Sequence, residues 1–190
     1  MAGLLFLFHT ANAQEGTYQF YSESLKVNNA GMMVLGTWAL ANISVGTYGW
    51  SQNSGQRQYF HQMNLFWNTV NLAIAGVALY SNYSTDYMAM QPGELMEKQA
   101  NFQRILLINA GLDVGYMGAG LLLRHLSPRY PKNEARLMGY GNSVILQGAF
   151  LFVFDLVLYG IQRGQRNSFL DQLSLSTLQE GVGISLSLTF

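Results

Sequence analysis

The stretch Tyr140-GNSVILQGAFLFVFDLVLYG-Ile161 decides the fold, because in all that length it carries a single charge, Asp155. A helix rising 1.5 Å per residue needs about 20 residues to cross ~30 Å of hydrocarbon, and this stretch is long and apolar enough. Three others share its character. Val27–Gln56 holds no charged residue, Gln58–Thr85 only His61, and Ile105–Leu123 only Asp113. The spans read from these gaps are 30–50, 62–80, 104–124 and 140–161. The first contains Thr37, Asn42, Ser44 and Thr47, so it is expected inside the bundle rather than against lipid. Four such helices cannot bury every face against one another in water. The sequence therefore predicts an all-α, integral membrane four-helix bundle over 28–162, with the lipid bilayer as its first partner.

Composition agrees. Charged residues make up 11% of the 190, well under the quarter usual in soluble domains, and aromatics reach 13%. A formal net charge of zero, with no run of Lys or Arg, argues against nucleic-acid binding, which needs a basic footprint. Without cysteine there is no disulfide, thiolate metal site or cysteine nucleophile.

The connecting segments set an orientation. Arg57 and His61 lie between spans one and two. Arg124, Arg129, Lys132 and Arg136 surround the third connection, against one acid, Glu134. The second connection, read as the loop Ser81–Gln103, holds Asp86, Glu94 and Glu97 against Lys98. Basic connections stay cytoplasmic, which puts both termini outside. The apolar run Leu4–Phe8 followed by Ala11-Asn12-Ala13 is consistent with this, since it has the core and the A-x-A site of a signal peptide over 1–14. Tyr48, Trp50, Tyr80, Tyr83, Tyr140 and Tyr159 fall near span ends, as interfacial aromatics do.

After Ile161 the character changes. Residues 163–190 read as an extracytoplasmic tail. A short amphipathic helix (Phe169, Leu170, Leu173, Leu175, Leu178) is followed by strict alternation over 183–190, a β-strand signal. A lone strand has unpaired edges, so it is expected to pair with a partner sheet.

Polar residues inside the spans are the candidate site. A carboxyl at bilayer depth is costly and normally faces a bundle interior, which singles out Asp113 and Asp155. Asn64, Asn68 and Asn71 share one helix face at i, i+4, i+7, and Asn109, Asp113, Tyr116 and Gly120 form another stripe. Gln147 lies on the Asp155 face, and Asn42 sits mid-span. Counting from the outer span ends puts Asn109 and Asp155 roughly 7–8 Å deep, and Asp113, Asn71 and Asn42 roughly 13–18 Å deep. The set suits a proton path, an ion site or a ligand pocket. Because amides dominate it, interhelical hydrogen bonding is the plainer reading. Gly111, Gly115 and Ala119 form a small-residue ridge suited to close helix packing, within the bundle or in a homo-oligomer. His61 and His125, both at cytoplasmic span ends, are the one pair that could ligate a haem. No cofactor is otherwise expected. No GxSxG, HExxH, Walker A or paired-carboxylate pattern occurs, so an enzyme is the least supported reading.

The motifs Asn64-LFWNTV-Asn71, Asn109-AGLDVG-Tyr116 and Gly139-YGNSVILQGAFLFVF-Asp155 resemble an uncharacterised family of small bacterial four-helix membrane proteins, a domain of unknown function. The resemblance covers Asn28 to Ile161. It implies the bundle and, with the leader and the loop charges, a multi-pass protein of the bacterial inner membrane; it implies no activity. The sequence then supports two functions. One is a structural or accessory subunit of an envelope complex, engaged through its terminal strand. The other is a small-ligand, ion or proton-handling bundle using Asp113 and Asp155.

Overall fold

The computed structural model describes the backbone of residues 2–179, with side chains over 14–175. Four helices follow in order: α1 (Ala2–Gln52), α2 (Gly55–Ser84), α3 (Pro92–Leu126) and α4 (Glu134–Gln179). Single 3₁₀ turns at Tyr87–Ala89, Ser127–Arg129 and Pro131–Asn133 fill the second and third connections. Among the described residues there is no strand, and the strand expected over 183–190 lies outside them.

Local chemistry sets the breaks. Gly55 opens α2 at φ 59°, a left-handed value that a glycine adopts without strain. Pro92 stands in the first turn of α3, and the Glu94 carboxylate accepts the Gln91 backbone N–H at 3.2 Å. At the other end of α3, Pro128 and Pro131 interrupt helical hydrogen bonding, and Arg124 and His125 complement the helix dipole.

The helices outrun the spans read from the charge gaps. α1 has 51 residues and α4 has 46, about 77 and 69 Å long. Two expectations are corrected as a result. Most of the loop expected over Ser81–Gln103 is helical, because Glu94, Glu97 and Lys98 occupy an exposed face of α3 rather than a coil. The short amphipathic helix expected in the tail is no separate element, because α4 runs unbroken through it to Gln179. Three helices, α1, α3 and α4, are long and apolar enough to cross a membrane, with mean hydropathies of 1.2, 1.5 and 2.1 over their best windows.

α1 and α2 form one antiparallel hairpin and α3 and α4 another, with α4 packed against all three others. The two hairpins meet on an apolar cluster of Met32, Leu35, Ala75, Leu106 and Leu158. Trp38 stacks on Phe150 at 3.8 Å and Phe20 on Phe169 at 4.5 Å. α3 and α4 approach closely at Gly120 and Gly141. A methyl group on Gly120 would sit 2.7 Å from the Gly141 carbonyl, and one on Gly141 would sit 2.6 Å from the Gly120 carbonyl. Glycine at both positions lets the backbones touch and so fixes the register of the acids further along.

Candidate functional site

Lipid-type side chains lie outside and polar ones inside. Asn64, Asn68, Asn71, Ser143 and Gln147 are buried, while Phe66, Val70, Ile74 and Val77 on the same α2 are half exposed or more. In the inner half, Gln147 is the centre. It donates to Asn64 Oδ1 at 3.1 Å and Asn42 Oδ1 at 3.5 Å, and accepts from Trp38 Nε1 at 3.0 Å. Ser143 Oγ also donates to Asn64 Oδ1, and Asn71 Nδ2 donates to Asn68 Oδ1 at 3.4 Å. Helices α1, α2 and α4 are thereby joined side chain to side chain.

Further along the bundle, the carboxyls of Asp113 and Asp155 face each other across the α3–α4 interface. Both residues are at most 5% exposed, and Asp113 Oδ2 has no hydrogen-bond partner. Gly148 lies alongside, its Cα so close that an added methyl would stand 3.0 Å from the Asp113 carbonyl. The nearest cations along these helices point elsewhere: Arg104 bonds Asn101 at 3.0 Å, and Arg163 bonds the Tyr159 hydroxyl at 3.3 Å. A paired-carboxylate arrangement invisible as a sequence pattern is therefore assembled by antiparallel packing.

A third polar layer lies beyond the apolar cluster, towards the N-terminal end of α1 and the C-terminal end of α4. Gln162 Nε2 donates to the Ser24 carbonyl at 2.9 Å, and Ser24 Oγ donates to Gln162 Oε1 at 2.6 Å. Gln99 Nε2 reaches Gln162 Oε1 and the Gln162 carbonyl, both at 3.4 Å. Beside this knot, a cleft of about 50 Å³ opens between Tyr21, Ser81, Asn82, Thr85 and Lys98. Burial there pushes the Tyr21 phenol above its usual value.

Of the residues singled out by sequence, Asn42, Asn68, Asn71, Gln147, Asp113 and Asp155 face the interior. Asn109 and Tyr116 do not. Asn109 is exposed, and Tyr116, 39% exposed, meets the edge of Trp67 at 4.9 Å. The buried face of α3 runs through Gln99, Gln103, Leu106, Ala110, Asp113 and Gly120, so the stripe drawn through Asn109 and Tyr116 lies to one side of it. The ridge Gly111, Gly115, Ala119 is likewise exposed and takes no part in packing within the chain; close packing falls to Gly120 instead. His61 seats its ring against Gly49 of α1, whereas His125 is exposed in the last turn of α3. The two histidines thus sit in different surroundings on different helices. Gln99, Gln103, Gln162 and Ser24 went unread because charged neighbours masked their faces, although Gln162 is two turns from Asp155 on one face of α4.

A family model described as a family of unknown function, DUF6992, matches residues 34–156. The chain belongs to this family. The matched DUF6992 segment runs from just before Trp38 to just after Asp155, and so takes in the whole Gln147 network and both acids. Ser24 and Gln162 of the third polar layer fall outside it. No curated protein and no solved structure matches the chain.

Proposed function

We propose that this is a four-pass membrane protein that binds and releases a proton at the carboxyl pair Asp113–Asp155. The contact between those two buried carboxyls carries the reading. Two carboxyl groups buried against each other cannot both stay ionised at low cost, so the pair favours holding one proton. With no cation among the described residues turned towards them, the pair suits a site that gains and loses that proton.

Four crossings are supported by the outer surface. Half-exposed apolar side chains ring the bundle: Met33, Val34 and Val45 on α1, Ile105, Leu112 and Leu121 on α3, Val153 and Val157 on α4. Water tolerates exposed apolar patches of only a few hundred Å², whereas lipid tolerates a continuous belt. α2 joins that belt through Phe66 to Val77. Its lower mean hydropathy comes from Asn64, Asn68 and Asn71, which the bundle buries away from lipid. The basic connections Arg57/His61 and Arg124–Arg136 share one end, which the positive-inside rule makes cytoplasmic.

Infrared difference spectroscopy of the purified protein in lipid tests the function. A protonated-carboxyl band that responds to pH, and that Asp113→Asn or Asp155→Asn removes, is the expected result. A parent protein with no such band overturns the proposal. The second reading, an accessory subunit of an envelope complex, is favoured by the length of α1, α3 and α4 beyond the apolar belt, which offers a partner a helical surface. It requires a co-purifying partner that is lost when 183–190 is deleted.

A further inference from the structure

We propose that Asn28, Gln99, Gln103 and Gln165 form a hydrated port through which the Asp113–Asp155 pair exchanges its proton with the side bearing the N-terminal end of α1; this rests on the proton-binding reading above. Four buried side-chain atoms here have no partner: Asn28 Oδ1, Gln99 Oε1, Gln103 Nε2 and Gln165 Oε1. Gln99 is 1% exposed and Gln103 7%. Buried amides are rarely left unsatisfied, so four along one stretch of the bundle mark a site built for something that binds them. Helix spacing sets them in a file. Asn28 and Gln103 stand one turn past Ser24 and Gln99, towards the acids, and Gln165 stands three residues past Gln162 on the far side of that level. Ser24, Gln99 and Gln162 are themselves hydrogen-bonded together, so each orphaned group belongs to a residue within about one 5.4 Å turn of that knot.

The kinds of atom identify the occupant. Three are acceptors and one is a donor. The orientation of Gln99 is fixed, since its Nε2 already faces two Gln162 oxygens and its Oε1 must face the other way. A bare cation would suit the oxygens but confront the Gln103 N–H. Water donates twice and accepts as well, so a file of molecules satisfies both kinds of group. A separate cleft of about 50 Å³, which none of the four amides lines, opens on α1 and α3 at Tyr21, Leu25 and Lys98. Tyr21, Tyr87 and Lys98 are the titratable groups around it.

The inner half of the bundle differs. No buried side-chain atom of Asn42, Asn64, Asn68, Asn71, Ser143 or Gln147 lacks a partner, so that layer is closed by its own bonds. Between port and acids stands one apolar turn, Leu106 and Leu158, each 5% exposed or less. Leu158 falls between Asp155 and Gln162 on α4, which makes it the barrier a proton must pass.

Two readouts on the full chain in detergent or nanodiscs test this. In nuclear magnetic resonance with labelled side-chain amides, the Gln103 NH₂ should show exchange or cross-relaxation with water, and the Asn68 and Gln147 NH₂ should not. In infrared spectroscopy, hydrogen–deuterium exchange of the carboxyl pair should slow about tenfold in Gln99→Leu/Gln103→Leu and quicken about tenfold in Leu158→Ala. The matched inner variant Asn68→Leu should leave it unchanged. A dry Gln103, or exchange that ignores the outer substitutions or responds equally to the inner one, overturns the port. A parent without the carboxyl band overturns the proton-binding reading instead, so the two failures are distinct.

Discussion

Gln147 has no exposed surface and three side-chain partners on two neighbouring helices, which makes it the residue whose loss should be felt most widely. Gln147→Leu keeps the volume but takes a donor from Asn64 and Asn42 and an acceptor from Trp38. Each interhelical bond in a membrane bundle contributes on the order of 0.6–2 kcal/mol. The variant should therefore unfold in denaturing detergent with a stability lower by ~1–3 kcal/mol. Unfolding at the parent's midpoint would mean these bonds carry no net stability. At the acid pair, Asp155→Asn replaces a shared proton with an amide donor. The expected outcome is a folded protein of near-parent stability that has lost the infrared carboxyl signal. Most of this chemistry was legible in the sequence, since an amide or acid in a charge-free span must face inward. Asn109 shows where the rule fails: on a helix with a narrow buried seam, a residue one turn from Asp113 can still face outward.

At the scale of elements, glycine separates packing positions from open ones. Gly111 has open space where a side chain would go, so Gly111→Ala should raise stability slightly, by about 0.5–1 kcal/mol from helix propensity. Gly120→Ala should do the reverse, because its methyl meets the Gly141 carbonyl and Ile145 at 2.7 Å. Thermal or detergent melts of the two variants check the contrast, and shifts of one sign in both would refute it. The extension of α1, α3 and α4 beyond the belt has its own core at Phe20 and Phe169. Phe169→Ala should cost about 3 kcal/mol there. Amide hydrogen exchange would then show lost protection over 14–29 with the Gln147 network unaffected; loss in both regions would make the bundle one cooperative unit. The sequence hid this extension, because Glu94, Glu97 and Lys98 look like a solvated loop when they are the exposed face of α3. Depths counted from span ends placed the two acids in different layers for the same reason: the helices do not end where their charges begin, and the Gly120–Gly141 contact sets the register.

For the whole molecule, a polar interior inside an apolar exterior follows from composition, and the four helices were legible from the gaps between charges. Less legible was how far α1 and α4 continue, because hydropathy reports where lipid ends and not where a helix does. The account rests on α2 crossing the membrane with the other three. Since the chain has no cysteine, single cysteines at Asn53, Asp86, Lys132 and Arg166 report directly on sidedness when labelled by an impermeant maleimide in sealed vesicles. Four crossings predict that Asn53→Cys and Lys132→Cys react from one side, and Asp86→Cys and Arg166→Cys from the other. Asn53→Cys and Asp86→Cys reacting from the same side would contradict the account.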